Sequence, residues 1–285
     1  MARVLRWAGY AIGALVTLLL IAAAAIWLMS WEKLHARTAR PEHLARPTAA
    51  EMADAPRMLT VLRCADCHFP GVRGGLFFNE PHVAKIYAPN LTEVAAHATD
   101  EQLAQAIRQG IGTDGRALVI MPSATFGRLD DGELAALIAA IRALPRGGQA
   151  MPAREIGPLG RLGLVMGKFH TTPEQVADYA DKWPIDLGPQ YRRGEHMAAS
   201  NCAECHGPDL GGGEAEPGLM APDLTVAGAY DLAGFTKLLR TGVPAGGRKL
   251  KLMGEIAKND LSHMTDAEIA DLYAYLQARA QKLSR

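Results

Sequence analysis

The sequence predicts a mostly α-helical protein, with an N-terminal transmembrane helix followed by two tandem modules of related sequence. Three observations carry this expectation. Residues 7–29 contain no charged side chain and are mostly Ala, Leu, Ile and Val. The rest of the chain repeats itself, with one module over 53–146 and a second over 189–285. Each module closes on apolar residues at helical spacing, and no comparable alternating strand pattern appears.

As a helix, residues 7–29 reach roughly 34 Å, against a hydrocarbon core of about 30 Å. Trp7 and Tyr10 stand at one end of the run and Trp27 and Trp31 at the other, where interfacial aromatics belong. The small residues Ala22 to Ala25 offer a signal-peptidase site, but the run is longer than the roughly 7–15 apolar residues of a cleaved leader. The expectation is therefore an uncleaved anchor over residues 1–31. Flanking charge does not orient it, because Arg3 and Arg6 precede the span while Lys33, Arg37, Arg40 and Arg46 follow it.

Residues 32–52 and 147–188 are rich in Pro, Gly and Arg and read as linkers, the second long enough to wrap a module. Within the modules, CADCH at 64–68 answers to CAECH at 202–206, and APNLT at 88–92 to APDLT at 221–225. IRQGIGTDGRALVIM at 107–121 answers to LRTGVPAGGRKLKLM at 239–253, with Gly, Arg, Leu and Met at matching offsets. The closing helices begin at Asp130 with Glu133 and at Thr265 with Glu268, the spacing of capping boxes. Their stripes run through Leu134, Leu137, Ile138 and Ile141, and through Ile269, Leu272, Tyr273 and Leu276.

All four cysteines lie in the two C-x-x-C-H motifs. A zinc site would need its two Cys pairs some 15–20 residues apart, yet Cys67 and Cys202 are far more distant and each pair brings its own histidine. A redox dithiol of the thioredoxin type needs a βαβ setting that is absent from the pattern. The third reading needs only what is present. Two thiols three apart add to the two vinyl groups of one porphyrin, and the next residue puts an imidazole under the iron. Cys64 and Cys67 with His68, and Cys202 and Cys205 with His206, are thus candidate haem anchors and proximal ligands. The scarcity of aromatics, at 6%, fits a bound apolar cofactor supplying core volume.

With these motifs in place, both modules resemble class I c-type cytochromes, in a tandem dihaem arrangement behind a membrane anchor. They are also similar to the haem modules of the cytochrome subunits that serve membrane dehydrogenases, which typically carry three such motifs. The resemblance implies two covalently bound haem c groups and a methionine as second axial ligand. Met121 and Met253 match the family position, each eleven residues after its matched glycine, Gly110 or Gly242, and ahead of the closing helix. Met121 is followed by Pro122 as in the family, Met253 by Gly254. Met264 is the rival in the second module, although a packing role against Ile269 accounts for it. His82 or His97 would instead make a bis-His site in the first.

In the family a P-x-L proline carbonyl accepts from the ligating imidazole, and Pro89 with Leu91 and Pro222 with Leu224 match that motif. A small residue at the crossing of the first and closing helices matches Gly194, facing Tyr273 or Tyr275, whereas the corresponding position in the first module is Pro56. Arg116 and Arg248 are either propionate partners or solvated surface arginines.

The resemblance also implies haem attachment outside the bacterial cytoplasmic (inner) membrane, hence a single-pass protein with its haem domains in the periplasm. The expected function is one-electron relay. The donor would be a membrane dehydrogenase or a quinol-oxidising complex, and the acceptor an oxidase or soluble cytochrome. Membrane lipid would surround the N-terminal helix. With Lys+Arg and Asp+Glu at 30 each, no basic field points to nucleic acid. The competing class is a dihaem enzyme, peroxidase-like or thiosulfate-oxidising, with one open or unusually ligated haem. A haem sensor lacks a recognisable output domain.

Overall fold

The computed structural model describes residues 1–35, 38–216 and 218–284. Arg37, counted in the flanking charge, lies outside these residues. The chain is mostly helical, as its periodicity predicts. Helix α1 (Ala2–His35) continues past Trp31, and it is long and apolar enough to cross a membrane, with none of its most apolar window buried against protein.

The first module opens with α2 (Ala49–Val61), which starts on a Thr48–Glu51 capping box and runs straight through Pro56. Pro56 sits within the helix, so the helix does not begin after it. The close crossing uses the preceding residue instead, with Ala55 buried against Ala136 and Ala140. The one-turn helix α3 (Cys64–His68) follows. A hairpin of β1 (Gly75–Glu80) and β2 (Ala84–Ala88) comes next, antiparallel with Gly75 opposite Ala88 and a bulge between Leu76 and Phe78. Four helices complete the module: α4 (Leu91–His97), α5 (Asp100–Gln109), the single turn α6 (Ser123–Phe126) and the closing α7 (Asp131–Ala143).

Residues 147–188, which read as a linker, are ordered against this module. β3 (Glu155–Ile156) adds a third strand to the hairpin beside β2. α8 (Pro158–Val165) packs on the end of α1, and α9 (Thr172–Asp178) covers α6. The earlier linker is also pinned, since Gln109 donates to the Arg40 carbonyl at 2.8 Å and Arg108 to Glu42 at 3.2 Å.

The second module repeats the plan with α10 (Arg192–Asn201), α11 (Ala203–His206), β4 (Gly213–Glu216), β5 (Leu219–Ala221), α12 (Leu232–Thr241), α13 (Leu252–Asn259) and α14 (Asp266–Leu283). Gly194 faces Tyr275, not Tyr273: a Cβ there would stand 2.1 Å from the Asp271 carbonyl oxygen and 2.7 Å from Tyr275 Cβ. Tyr275 is fully buried and donates its hydroxyl to the Ile185 carbonyl at 3.0 Å.

Among the described residues each module has one main apolar core, with the smaller cluster of Ala55, Ala136 and Ala140 beside the first. The hairpins escaped the sequence reading because β1 is exposed on both faces and so does not alternate, while β4 is only four residues long. The modules dock through their first and closing helices, reciprocally. Arg57 of α2 donates to Glu268 of α14 at 2.7 Å, and His196 of α10 pairs with Glu133 of α7 at 2.9 Å. Val61 of α2 is buried in the second module's core, and Met58 packs against both cores. A cavity of about 360 Å³ remains between these helices, lined among others by Met58, Leu129, His196 and Met264.

Candidate metal centres

Each cysteine motif winds into a single helical turn, which puts its two thiols on one side because residues three apart share a helix face. In the first module the turn is set by Arg63 in the left-handed region at φ 59°. All four cysteines are unbridged. Burial pushes the Cys64 and Cys202 thiols up to about 12 and that of Cys67 up to about 11. A zinc ligand or a redox nucleophile must be a thiolate, which this environment opposes. A thioether carries no proton to lose and sits in the same place without that penalty.

The two histidines share one geometry. His68 is 6% exposed and its Nδ1 lies 2.8 Å from the Pro89 carbonyl oxygen. His206 is 8% exposed with Nδ1 2.7 Å from the Pro222 carbonyl oxygen. A carbonyl only accepts, so each Nδ1 carries the proton and donates, leaving the Nε2 lone pair for a metal. Burial lowers the pKa of both rings, outweighing the carbonyl bond, and so favours the neutral imidazole that a metal requires.

The proline loops are braced by different means. Asn90 is 1% exposed; its Oδ1 accepts from the Thr92 N–H at 3.1 Å and its Nδ2 donates to the Gly147 carbonyl at 2.8 Å. In the second module Asp223 replaces it, accepting from the Thr225 N–H at 2.7 Å and from Arg279 Nη1 at 2.8 Å. Burial works to raise the Asp223 carboxyl, but these donors hold it below its usual value. Arg279 is itself buried and also donates to the Asp209 carbonyl at 3.0 Å. Sequence reasoning passed over Asn90, Asp223 and Arg279. The signal for the first two was present, since an Asx residue precedes Leu-Thr in both copies of the repeat.

Cys64, Leu91 and Met121 pack, partly buried, against the core of the first module. Cys202, Leu224 and Met253 do the same in the second. Met121 lies just ahead of α6, whereas Met253 lies within α13. Gly242 caps α12 in the left-handed region, and a Cβ there would stand 2.2 Å from the Gly254 carbonyl oxygen, so this glycine lets the Met253 segment approach closely. Met264 is 2% exposed inside the core with Ile269 and Leu272, where packing alone accounts for it. His82 is exposed at the hairpin turn and His97 is exposed in the last turn of α4. Arg116 pairs with Asp114, Nε to Oδ2 at 2.6 Å, and Arg248 is exposed.

Phe69, directly after His68, occupies φ 63°, ψ 170°, a region essentially reserved for glycine; its counterpart Gly207 adopts φ 81°, ψ 155°. The backbone path after the motif histidine is thus common to both modules, although only one has the residue suited to it. Between the motifs, Arg63 reaches Glu204 and interacts with Cys205. The two motifs therefore lie close together in space.

The residues present fit haem c: paired neutral thiols, an imidazole oriented through Nδ1, and partly buried apolar side chains around them. Comparison with known proteins agrees for the second module. Residues 191–280 match the family model described as Cytochrome c. Over 246 residues the chain is 26% identical to the fructose dehydrogenase cytochrome subunit of Gluconobacter japonicus, an alignment covering 75% of this chain and 50% of that protein. The chain thus spans about half the length of the curated relative it matches. Residues 191–280, which hold Cys202 at the cap of α11 and Cys205 and His206 within it, are thus similar to a cytochrome c domain.

Proposed function

We propose that the chain is a membrane-tethered, periplasmic electron-transfer protein carrying two haem c groups, one in each module. The observation that carries this reading is the repeated geometry: in both modules a buried motif histidine donates Nδ1–H to a proline carbonyl and keeps Nε2 free. When bound, haem c supplies a one-electron iron couple. Cys64, Cys67, Cys202 and Cys205 would hold it covalently, and His68 and His206 would ligate its iron. Met121 and Met253 would supply the thioether that, beside the imidazole, favours the reduced iron and raises the potential. Leu91 and Leu224 keep water from the site.

The chain acts as an electron-transfer subunit and not as a catalytic enzyme, a reading supported by the cytochrome c domain and by a relative named as a cytochrome subunit of a dehydrogenase. We assign the donor to a membrane dehydrogenase or quinol-oxidising complex, and the acceptor to an oxidase or soluble cytochrome. Helix α1 is read as an uncleaved single-pass anchor in the bacterial inner membrane, with both modules in the periplasm. The close approach of the motifs supports direct passage of electrons between the modules.

A potentiometric titration of the purified protein tests this reading. Two reversible one-electron waves, with no turnover of peroxide or thiosulfate, are expected. Turnover linked to one haem would favour the dihaem-enzyme alternative.

A further inference from the structure

We propose that α8 is a second membrane contact, lying on the bilayer surface beside the end of α1 with Leu159, Leu162 and Met166 toward lipid. This rests on the reading of α1 as a transmembrane anchor. Four observations carry it.

The helix is apolar on two opposite faces. One face is used up inside the protein: Leu164 is fully buried, and Gly160 lies so close to the hairpin that a Cβ would stand 2.1 Å from the Val83 carbonyl oxygen. The other face points outward, with Leu159 56% and Met166 60% exposed and Leu162 half-buried between them. Residues 159, 162 and 166 follow helical spacing and form one strip. A helix this apolar all round needs cover on both sides.

The level is right. Arg161 of α8 stacks its guanidinium over the Trp27 ring at 3.6 Å and donates to Ser30 Oγ at 2.9 Å. Trp27 and Ser30 flank the end of the uncharged run of α1, where the hydrocarbon gives way to headgroups. Leu28 and Trp31, each next in the chain to an α1 residue that Arg161 touches, are exposed as well.

The charge is right. Between residues 158 and 169 the only charged side chains are Arg161 and Lys168, both basic. Among the described residues no carboxylate lies within ion-pair distance of Arg161. Short apolar helices with basic residues at their edge bind the boundary of anionic bilayers.

The junction is firm. Besides Arg161, the Ala117 N–H donates to the Leu34 carbonyl at 3.1 Å and Lys33 pairs with Glu174 at 2.5 Å. Ser30 and Leu34 are buried. With α1 crossing the bilayer and α8 lying on it, the first module is held at one orientation over the membrane and does not swing on a flexible tether.

The test is spin labelling of full-length, haem-loaded protein reconstituted in a phosphatidylethanolamine–phosphatidylglycerol bilayer, with oxygen and a nickel chelate as collision partners. Labels go on Leu159→Cys and Met166→Cys, with Leu19→Cys in α1 as the lipid control and Leu283→Cys as the water control. The proposal expects an oxygen-to-nickel accessibility ratio at 159 and 166 several-fold above that at 283. A ratio equal to that at 283, with 19 in lipid, overturns the α8 contact and leaves the anchor standing. Labels at 159 and 166 shielded from both probes mean that protein covers the face, which also overturns it. A label at 19 that reads as aqueous removes the anchor and this proposal with it.

Discussion

Arg63, the residue before the first cysteine motif, hydrogen-bonds through Nη2 to Glu204 inside the second motif. One guanidinium thus stands between two sets of candidate iron ligands. Burial works against its charge, but Glu204 favours the charged form, and its pKa stands above the usual value. A fixed positive charge near an iron disfavours the oxidised, more positive state. Arg63→Gln should therefore lower both reduction potentials, and Glu204→Gln should raise them, each by on the order of tens of millivolts. Arg63→Lys should lie between wild type and Arg63→Gln. Potentials that move in the same direction in both variants would contradict the electrostatic account.

The methionine assignments separate cleanly by spectrum. Met121→Ala and Met253→Ala should each convert one haem to a high-spin form while leaving the other low-spin. Met264→Ala should leave both spectra unchanged and lower stability by about 2–5 kcal/mol, since it removes a fully packed side chain. A high-spin signal in Met264→Ala would transfer the ligand role to that residue.

Gly194 lies against the Asp271 carbonyl and the Tyr275 side chain, and the carbonyl is backbone that cannot swing aside. Gly194→Ala should cost about 1–3 kcal/mol in chemical unfolding of the haem-loaded protein. At the equivalent crossing of the first module, Ala55→Gly should be mild by comparison, about 1 kcal/mol from helix propensity and lost packing. An unchanged unfolding midpoint in Gly194→Ala would show that the helices have room to part.

The contact between the modules depends on pH through His196. Its hydrogen bond to Glu133 raises its pKa above 6.5 despite burial, with Asp130 and Glu195 adding attraction. A histidine raised in the folded state contributes stability that is fully present below the unfolded value and lost as pH rises through the folded one. The stability gap between wild type and His196→Gln should therefore be widest near pH 5, on the order of 1 kcal/mol, and shrink toward pH 8. Denaturation curves across that range measure it; a gap that widens with pH would reverse the assigned sign.

Much of the candidate site was legible because its signals are local. The cysteine motif fits one helical turn, and the capping boxes at Asp130 and Thr265 are four-residue patterns that recur in the structure. The repeat matched the proline loops, and each proline carbonyl indeed receives its histidine's Nδ1–H. What stayed hidden depends on contacts distant in sequence. Pro56 stands where the repeat places the counterpart of Gly194, yet α2 runs through it and crosses α7 at Ala55. The stretch 147–188 reads as a linker from its Pro and Gly content, whereas its order comes from β3 pairing with β2 and from α8 packing on α1. Arg63 carries no motif, and its reach to Glu204 exists only once the modules have docked.

The central claim is two haem c groups on one chain, each closed by histidine and methionine. The most direct measurement is the haem content per chain by alkaline pyridine spectrum, with carbon monoxide added to the reduced protein. The account predicts two haems per chain and no carbon monoxide adduct. One haem per chain would remove the first module from the electron path, and an adduct at either haem would show an open site and contradict that module's methionine.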